Sequence, residues 1–417
     1  RDAAVSRAEA DWIIGMNGSR VAATFLRTNR NDKRSLSLGR VQTATLGMIV
    51  DHEISVLSHN PSPFWELEGQ FSSGDATWTA RWERTGHKDD PDNPEMKAHR
   101  ITDIAEKEKL ESVLESKDDF SVSQTDRNSS EKPPLNFDLT SLQREANNLW
   151  SWSARRTLSI AQELYDTHKL TTYPRTDSRF LPEDMMESIS KTIRQLGAQD
   201  KLNPHSQRLV DEGLKNVKRN FDDAKVSDHY AIIPTGKIPA GGLSSDASKL
   251  YDLIARQFLA SFHPESVWKV EKRVASKQGQ NFVKEARSLS TPGWRAVRPK
   301  KQDLPDGWGK LPANPANAEL KSHEFKEQKT KPPGRLKEAG LLRLMEHAGK
   351  KIDDDELAAA MKGKGLGTPA TRAETIEKLI MREFIGRGKG GSLRATPHGI
   401  KLIDILRRIP VEWITSA

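Results

Sequence analysis

The chain has 417 residues, a formal charge of +8 from 66 basic and 58 acidic residues, and a pI of about 9.3. It contains no cysteine, which excludes disulfides, thiolate metal sites and cysteine nucleophiles. No apolar run approaches the roughly 18 residues of a membrane span. The basic excess is modest for this length, so any nucleic-acid-binding surface has to be local.

Apolar spacing predicts the elements of the first part of the chain. Spacings of three and four residues predict helices over 3–28 and 41–57. The first helix starts as if from its middle, at Arg1, so we expect that the true N-terminus of the protein is missing. Residues 60–85 alternate apolar and polar side chains, which predicts strands with one wet face, and a polar loop follows at 86–97.

The middle of the chain returns to helices. The segment "DFSVSQTDRN" is strand-like, and "EKPPLNF" is predicted to be a rigid linker. The helical period then runs from Leu139 to Lys169, with Ser153 as the predicted cap of a second helix. After a polar loop, "LPEDMMESISKTIRQLG" is predicted to be helical, 221–235 to be another loop, and 246–262 to be a helix.

The last part contains strands and then helices. Residues 266–299 alternate again, whereas 300–335 are rich in proline and lysine and are predicted to be a connection or a flexible hairpin. Residues 336–417 are predicted to form a helix, a glycine-rich loop, a second helix and the segment "SLRATPHGIKLIDIL". Two strand-rich blocks, about 59–126 and 264–335, therefore flank a helical insert. This order favours one β layer with an inserted helical domain, arranged as a ring or an arch.

The segment "LTTYPRTDSRFL", residues 170–181, contains a tyrosine with unusual neighbours. Because Pro174 disfavours a helical backbone at Tyr173, the chain is extended here, and Tyr173, Arg175 and Asp177 share one face. A guanidinium can bind a phosphate through two hydrogen bonds and offset the charge that develops when a weak tyrosine nucleophile attacks. The pattern suits phosphoryl transfer. The alternative is that Tyr173 packs at a domain edge and Arg175 pairs with Asp177.

Two other segments place glycine before a predicted helix. "SLSLGRVQTATL", residues 35–46, and "GKGLGTPATRAETIEKLI", residues 363–380, both offer free backbone N–H groups to an anion. Arg372 lies in a first helical turn, where its charge opposes the helix dipole, and an anionic partner would explain that position. An ordinary capped helix start is the alternative in both cases.

A basic stretch and a loop histidine complete the candidates. Residues 362–394 contain eight basic side chains against Glu374, Glu377 and Glu383, which indicates a basic patch or a solvated surface. The eight are Lys362, Lys364, Arg372, Lys378, Arg382, Arg387, Lys389 and Arg394. His229 in "DHYAIIPT" could exchange a proton near neutral pH or have a purely structural role.

Five segments together resemble one family. "LSLGRVQTATL", "FDLTSLQREAN", "TTYPRTDS", "DHYAIIPT" and "GLGTPATRAETIEKLI" resemble, in this order, the signatures of type IA DNA topoisomerases. The forms "YPRTDS" and "HYAIIPT" are most similar to the bacterial topoisomerase III branch. The resemblance covers essentially all 417 residues, and five ordered motifs are far more specific than any one of them.

The resemblance implies a reaction and assigns residues to it. Tyr173 would attack a phosphodiester of single-stranded DNA and form a 5′-phosphotyrosine, with Arg175 on the scissile phosphate and His229 supporting the transition state or the leaving hydroxyl. Strand passage and religation would follow without ATP, in agreement with the absence of a G-x-x-x-x-G-K-[ST] loop from the sequence. The positions implied to contact DNA are Arg40, Gln42, Thr43, Gln162, Asp166, Thr176, Asp177, Ser178, Thr368 and Arg372.

The fold that the resemblance implies is an α+β multidomain toroid, in which helical domains are joined by a β-rich arch that opens as a gate. A helical DNA-groove domain would comprise 1–58 and 336–417. The arch would comprise 59–126 and 242–335, and the helical catalytic-tyrosine domain 127–241.

Members of the family hold Mg²⁺ in an N-terminal Toprim domain with a glutamate and a D-x-D-x-E-type cluster, and this chain is expected to begin just after it. The D-x-D matches in "KIDDDEL", 351–357, and "HKDDPDNP", 87–94, are interpreted as helix capping and a polar loop. We therefore expect that this chain alone binds no metal and is inactive without Toprim. The expected partners are this domain and single-stranded, negatively supercoiled or catenated DNA, and the protein is expected to be a cytoplasmic, nucleoid-associated monomer with no membrane contact.

The sequence also bears on three other functions. The chain could bind single-stranded DNA without catalysis, through basic helix starts and exposed aromatic side chains. A relaxase would need clustered histidines, and the 11 histidines here are dispersed. A tyrosine recombinase would have a helical fold, which the strand-rich blocks contradict.

Overall fold

The computed structural model describes residues 2–25, 36–90, 93, 95–116, 118–239, 241–348, 365–408 and 412–415. The chain divides into two compact units. The helical unit comprises Arg1–Ser58, Pro134–His263 and Pro333–Ala417, and the β unit comprises His59–Pro133 and Pro264–Pro332. The motif "KIDDDEL" lies outside the described residues, as do Lys362 and Lys364.

Helices dominate the first unit, and one further helix, α4, belongs to the β unit. Their bounds are α1 (Asp2–Asp11), α2 (Ser19–Phe25), α3 (Arg40–Leu57), α4 (Ile104–Glu115), α5 (Leu139–Trp150), α6 (Ala154–Asp166), α7 (Met186–Leu196), α8 (Asn203–Glu212), α9 (Val217–Asn220), α10 (Ser245–Phe262), α11 (Glu338–Glu346), α12 (Pro369–Met381) and α13 (Pro397–Arg407). A π-helical stretch, Trp12–Gly18, joins α1 to α2.

Side-chain caps fix several helix starts. The predicted cap of α6 is confirmed, since the Ser153 hydroxyl accepts a hydrogen bond from the Arg156 N–H at 3.1 Å. At α5, the Asp138 carboxylate accepts from the Ser141 N–H at 2.6 Å, and the Ser141 hydroxyl accepts from the Asp138 N–H at 3.1 Å. This reciprocal pair satisfies two backbone donors that the first turn would otherwise leave unpaired. Burial raises the pKa of Asp138.

The β unit is a six-stranded antiparallel barrel. Its strands are β1 (Pro63–Ser73), β2 (Ala76–Glu83), β3 (Phe120–Glu131), β4 (Ser266–Lys277), β5 (Gln280–Thr291) and β6 (Ala316–Lys329). They lie in the order β1-β2-β5-β4-β3-β6, and pairing of β6 with β1 closes the barrel. Because the barrel is closed, it has no edge strand. Edge strands carry unpaired backbone groups that can pair with another chain.

Aromatic rings fill the barrel. Phe71 contacts Phe120 edge to face at 5.1 Å and Phe282 at 5.3 Å between ring centroids. The guanidinium of Arg273, which is 1% exposed, lies over the rings of Trp308 at 3.9 Å and Trp78 at 4.9 Å. The inward positions alternate with exposed ones along β2, as predicted for strands with one wet face.

The structure corrects the predicted connection at 300–335. Residues Ala316–Lys329 form the long strand β6, which pairs with β1 from Pro63 to Ser72. The segment is rich in charged residues because much of its length is exposed. Its strand conformation depends on distant pairing with β1, which its composition did not reveal.

Other predicted boundaries also change. Residues 127–131 belong to β3, because they pair with β4, so the predicted domain start at 127 cuts a strand. Helix α10, which the predicted boundaries placed in the arch, belongs to the helical unit. The prediction also missed α4, which Asp103 caps and which buries Leu110, Val113 and Leu114. The last three residues of the predicted helix 3–28 lie outside the described range.

The C-terminal part of the helical unit contains a short hairpin that the periodicity did not predict. Strands β7 (Ile385–Arg387) and β8 (Leu393–Ala395) pair between α12 and α13. Their inner residues join a core with α3, α11, α12 and α13 that includes Leu46, Ile49, Leu341, Ile376, Leu379, Phe384, Ile385, Leu393 and Leu402. This core holds the starts of α3 and α12 in one unit. No described helix is long and apolar enough to cross a membrane.

Candidate functional site

The tyrosine loop leaves α6 through a left-handed turn and then runs beside a second loop. Lys169 has φ 56°, and the Leu170 N–H donates to the Leu164 carbonyl at 2.9 Å. The Thr172 N–H donates to the Ile233 carbonyl at 2.9 Å, and the Thr172 hydroxyl donates to the Ala231 carbonyl at 2.9 Å. These bonds bring the loop that carries His229 beside the loop that carries the tyrosine.

Side chains in the tyrosine loop alternate between solvent and the protein interior. Arg175 and Asp177 are exposed and Tyr173 is half-buried, whereas Pro174 and Thr176 are buried. The alternation agrees with the extended backbone that Pro174 predicts, with the side chains of Tyr173, Arg175 and Asp177 on one face. Tyr173 is therefore neither in the core nor fully exposed.

Two rings pack against Tyr173. The His229 ring lies 4.4 Å from the Tyr173 ring between centroids, at an angle of 48°. Tyr165 of α6 contacts Tyr173 edge to face at 5.4 Å between centroids, and the Lys169 ammonium lies 5.5 Å from the Tyr165 ring centroid. These contacts fix the tyrosine ring and place an imidazole against it.

Arg175 is oriented by Gln162. With its amide oxygen facing the guanidinium, Gln162 accepts hydrogen bonds from Arg175 Nη2 at 2.9 Å and Nε at 3.1 Å. Because this partner is neutral, the charge of Arg175 is not cancelled, and its remaining N–H donors can bind a phosphate. The alternative pairing of Arg175 with Asp177 is not among the ion pairs of the described residues; the Asp177 carboxylate accepts from the Ser227 hydroxyl at 2.7 Å.

Two side chains of this loop that were predicted to contact DNA are instead hydrogen-bonded within the protein. The buried Thr176 hydroxyl donates to the His229 carbonyl at 2.8 Å, and the buried Ser178 hydroxyl donates to the Lys225 carbonyl at 2.8 Å. Both side chains therefore hold the loop in shape. Asp166, at the end of α6, is exposed.

The start of α3 carries three predicted contacts, and each has a different environment. Arg40 is the first helical residue and donates to the Asp11 carboxylate at 2.9 Å. The Gln42 amide donates to the Ser37 carbonyl at 3.0 Å, and its oxygen accepts from Arg382. Thr43 is buried, and its hydroxyl accepts from the Gly39 N–H at 3.0 Å. Arg40 and Gln42 are thus half-buried, whereas Thr43 is buried and completes the helix cap.

The two residues predicted to contact DNA at the start of α12 lie in different environments. Thr368 is exposed, and its N–H donates to the Thr371 hydroxyl at 3.0 Å. Arg372 is 3% exposed. Its guanidinium donates to the Thr140 hydroxyl at 2.9 Å and to the Leu366 carbonyl at 3.2 Å. Burial lowers the pKa of Arg372. Its position in the first turn is therefore explained by internal partners, and a direct contact with DNA is not required.

Sequence reasoning missed Tyr165 and Arg155. Tyr165 follows Gln162 by three residues on α6, and Arg155 precedes it by seven, so all three lie on adjacent faces of the helix. The helical spacing from Gln162 was the signal that could have found them. Arg155, Gln162 and Arg175 all line one cleft beside α6.

Carboxylates near the tyrosine do not form a metal site. Within the part of the chain that the structure describes, no group of three or more histidine or acidic residues could hold a metal ion. Asp177 is bonded to Ser227. The described residues therefore do not fit a Mg²⁺ site, and nothing in the geometry of the tyrosine loop depends on one.

Comparisons with known proteins agree on one family. A family model described as DNA topoisomerase matches residues 1–416. The DNA topoisomerase 3 of Bacillus licheniformis is 35% identical over 415 residues, which are 97% of this chain and 54% of that protein. The DNA topoisomerase 3 of Salmonella typhimurium is 34% identical over 418 residues, 97% of this chain and 62% of that protein. The chain thus spans about half the length of the curated relatives that it matches.

A solved structure shows the same fold. The full-length topoisomerase I from Thermotoga maritima, in a monoclinic crystal form, superposes with a TM-score of 0.70 and 24% identity. The match covers 99% of this chain and 62% of that one. At this identity the likeness concerns the fold alone.

Proposed function

The chain belongs to the type IA DNA topoisomerases, with DNA topoisomerase 3 proteins among its relatives, and we propose that it carries the nucleophile and DNA-binding surfaces for breaking and rejoining single-stranded DNA. The observation that supports this most is that the His229 ring packs against the half-buried Tyr173 ring, while the exposed Arg175 lies two residues further along the same extended loop. In this reaction the strand break would allow another strand to pass, which relaxes negative supercoils or separates catenated circles.

The cleavage step is a transesterification. The Tyr173 oxygen attacks the scissile phosphorus and loses its proton, the phosphorus–O3′ bond breaks, and the leaving 3′ oxygen takes up a proton. The product is a 5′-phosphotyrosine and a free 3′-hydroxyl. Rejoining reverses these bonds. Since one ester replaces another, no ATP is required.

Arg175 binds the scissile phosphate in this proposal. Its guanidinium is exposed and held by a neutral partner, Gln162, through two N–H groups. The other donors can therefore bind a phosphate oxygen and stabilise the charge of the pentacovalent transition state. Gln162 acts as a positioning residue for Arg175.

His229 exchanges the proton in this proposal. Its ring lies against the Tyr173 ring, at 4.4 Å between centroids, and the loops that carry the two residues are hydrogen-bonded to each other. An imidazole can take or give a proton near neutral pH. The leaving 3′ oxygen is its proposed partner.

The remaining predicted residues divide into two roles. One group is exposed or partly exposed, and we assign to it direct contact with the DNA strand: Arg40, Gln42, Asp166, Asp177 and Thr368. Thr43, Thr176, Ser178 and Arg372 are buried, and we assign them to holding the helix starts and the tyrosine loop that face the strand.

In this proposal Mg²⁺ would be bound by a Toprim domain, as the family resemblance implies, and not by the described residues of this chain. The ion would supply positive charge for the phosphate. No step assigned to Tyr173, Arg175 or His229 is routed through it. The proposal places this protein with nucleoid DNA in the cytoplasm, as a monomer.

Plasmid relaxation tests the proposal. Negatively supercoiled plasmid would be incubated with Mg²⁺ and this chain, alone and with a Toprim domain supplied. We expect relaxation only in the completed protein, and none in its Tyr173→Phe variant. Salt-dependent binding of single-stranded DNA without relaxation in the completed protein would favour the alternative, a DNA-binding protein without catalysis.

A further inference from the structure

A cleft of about 650 Å³ lies between α6 and α12 and reaches Arg175. Its lining contains basic, polar and apolar side chains. They are Arg155, Leu158, Ser159, Gln162 and Arg175 on one side, and Ala370, Ala373, Glu374, Glu377, Lys378, Ile380 and Met381 on the other.

The lining residues form two helical stripes. On α6 they are spaced three and four residues apart, from Arg155 to Gln162. On α12 the same spacing runs from Ala370 to Met381. Helices that face each other normally pack apolar stripes together. Here six of the eleven facing residues are polar or charged and two of the others are alanines, so the stripes leave an open cleft in place of a core.

The charges in the cleft favour an anion. The two acids are already paired, Glu374 with Lys378 at 2.8 Å and Glu377 with Arg387 at 2.6 Å. Arg175 has the neutral Gln162 as its partner. Arg155 is exposed. The Glu374 carboxylate is near enough to both Arg155 and Arg175 for their charges to contribute to lowering its pKa, after the larger effect of its hydrogen bond with Lys378. The lining thus holds three basic side chains, Arg155, Arg175 and Lys378, against the two acids Glu374 and Glu377, which leaves an excess of positive charge.

An apolar surface lies at the same cleft. Met381 is 73% exposed, which is the largest exposure of the large apolar side chains in the described part of the chain. A methionine is flexible and polarisable, and its sulfur makes favourable contacts with aromatic rings. Guanidinium groups beside such a surface match the phosphate and the base of one nucleotide.

We propose that this cleft binds the nucleotides that adjoin the scissile phosphate, with Arg155 on a neighbouring phosphate and Met381 against a base. The site rests on the proposed function, since it places a further length of the same DNA strand. Arg155 and Gln162 are seven residues apart on α6, or about 10 Å along the helix. The single DNA strand would therefore run along α6, away from Arg175.

Salt dependence tests the phosphate contact. Arg155→Ala is expected to weaken binding of a single-stranded oligothymidine severalfold and to reduce the slope of log affinity against log salt by about 0.7, the value for one phosphate contact on a single strand. Arg194→Ala, at an exposed arginine of α7, is the matched control and should change neither quantity.

Site-specific cross-linking tests the base contact, because the chain contains no cysteine. Met381→Cys would be incubated with oligothymidines that carry a thiol tether on one base at a time. Met186→Cys, at a methionine of α7 that is 42% exposed, is the control. We expect disulfide formation with Met381→Cys at a few adjacent tether positions, well above the control at each of them.

The outcomes are distinguishable. An unchanged salt slope for Arg155→Ala, or a cross-linking yield for Met381→Cys no higher than for Met186→Cys, overturns this site while leaving DNA binding and Tyr173 chemistry intact. A parent chain that binds no single-stranded DNA overturns the proposed function, and this site with it.

Discussion

The guanidinium of Arg175 is positioned by one neutral side chain, and this arrangement leads to a prediction at the scale of a residue. Gln162 accepts from two of its N–H groups, and a lysine ammonium would offer a point charge without the planar fork. Arg175→Lys is expected to keep DNA affinity within severalfold but to lower the rate of adduct formation about 10²–10³-fold. The rate would be measured in protein completed with a Toprim domain. An unchanged rate would contradict the assigned role, and Arg194→Lys is the control.

A buried histidine gives a prediction about pH. His263 is 0% exposed, and neither ring nitrogen has a hydrogen-bond partner among the described residues. Burial, followed by the charges of Arg208 and His205, lowers the pKa of His263 from 6.5 to about 4. The unfolded chain therefore binds a proton between these values that the folded protein does not bind. Stability is full above the unfolded pKa and falls as the pH is lowered towards 4, by on the order of 3 kcal/mol.

His263→Phe should reduce this loss. A phenyl ring occupies a similar space without titrating, so the free energy of unfolding should fall less between pH 6.5 and 4 than in the parent chain. Urea unfolding across this range is the measurement. His347→Phe, at an exposed histidine, should leave the slope unchanged. An equal slope in His263→Phe and the parent chain would show that other groups cause the pH dependence.

Local sequence predicted some residue environments and not others. Pro174 alone was sufficient to predict the shared face of Tyr173 and Arg175, because its effect on backbone conformation is local. The burial of Arg372 was not predictable, since its partner Thr140 is distant in the chain. The requirement for glycine at position 365 also depends on a residue distant in the chain. Gly365 has φ +60°, and a Cβ there would lie 2.6 Å from the Met345 carbonyl oxygen.

At the scale of elements, one buried acid fixes the start of α6. The Glu338 carboxylate accepts from the Ala154 N–H at 2.7 Å and from Arg387 at 2.8 Å, and Arg387 also pairs with Glu377 of α12. Glu338 thus ties together the two helices that border the cleft. Negative charge at a helix N-terminus is also favourable in itself.

Glu338→Ala is expected to destabilise the helical unit by about 2–3 kcal/mol, because it leaves the buried Ala154 N–H without its acceptor and removes one of the two carboxylates that pair with Arg387. Urea unfolding would measure the change. Glu374→Ala removes an exposed i,i+4 pair with Lys378 and should cost about 0.5 kcal/mol or less. Equal effects of the two substitutions would contradict the role of Glu338.

Elements were predictable where their stabilising contacts are local. Helix α3 was predicted within one residue of its start, because periodicity and the preceding glycine act over short distances. Strand β6 was predicted as a connection because its register depends on β1, more than 200 residues earlier. The hairpin of β7 and β8 has strands of three residues, which are too short for a period of two to be recognised.

At the scale of the whole molecule, the β unit is made from two separate stretches of chain, and its six strands and aromatic core are confined to them. At the point of insertion, Glu131 of β3 pairs with Ser266 of β4 in antiparallel register. A short turn could therefore replace the helical insert between them. The ring that the family resemblance implies remains a prediction.

Replacing residues 134–263 within the segment 59–332 by a two-residue turn should leave a folded barrel. The expected signs are cooperative unfolding in urea and a near-ultraviolet circular dichroism signal from the buried tryptophans. The same replacement with Phe71→Ala should lose about 3–5 kcal/mol, as for a large cavity in an aromatic core. A chain without cooperative unfolding would show that the barrel depends on the helical insert.

The most direct test of the central claim is to identify the residue that becomes attached to DNA. Protein completed with a Toprim domain would be incubated with single-stranded DNA and Mg²⁺, denatured rapidly, digested and analysed by mass spectrometry. We predict a single adduct, on Tyr173 through the 5′ phosphate, and none in a Tyr173→Phe variant that still binds DNA. An adduct on another residue, or one that persists in Tyr173→Phe, would contradict the account.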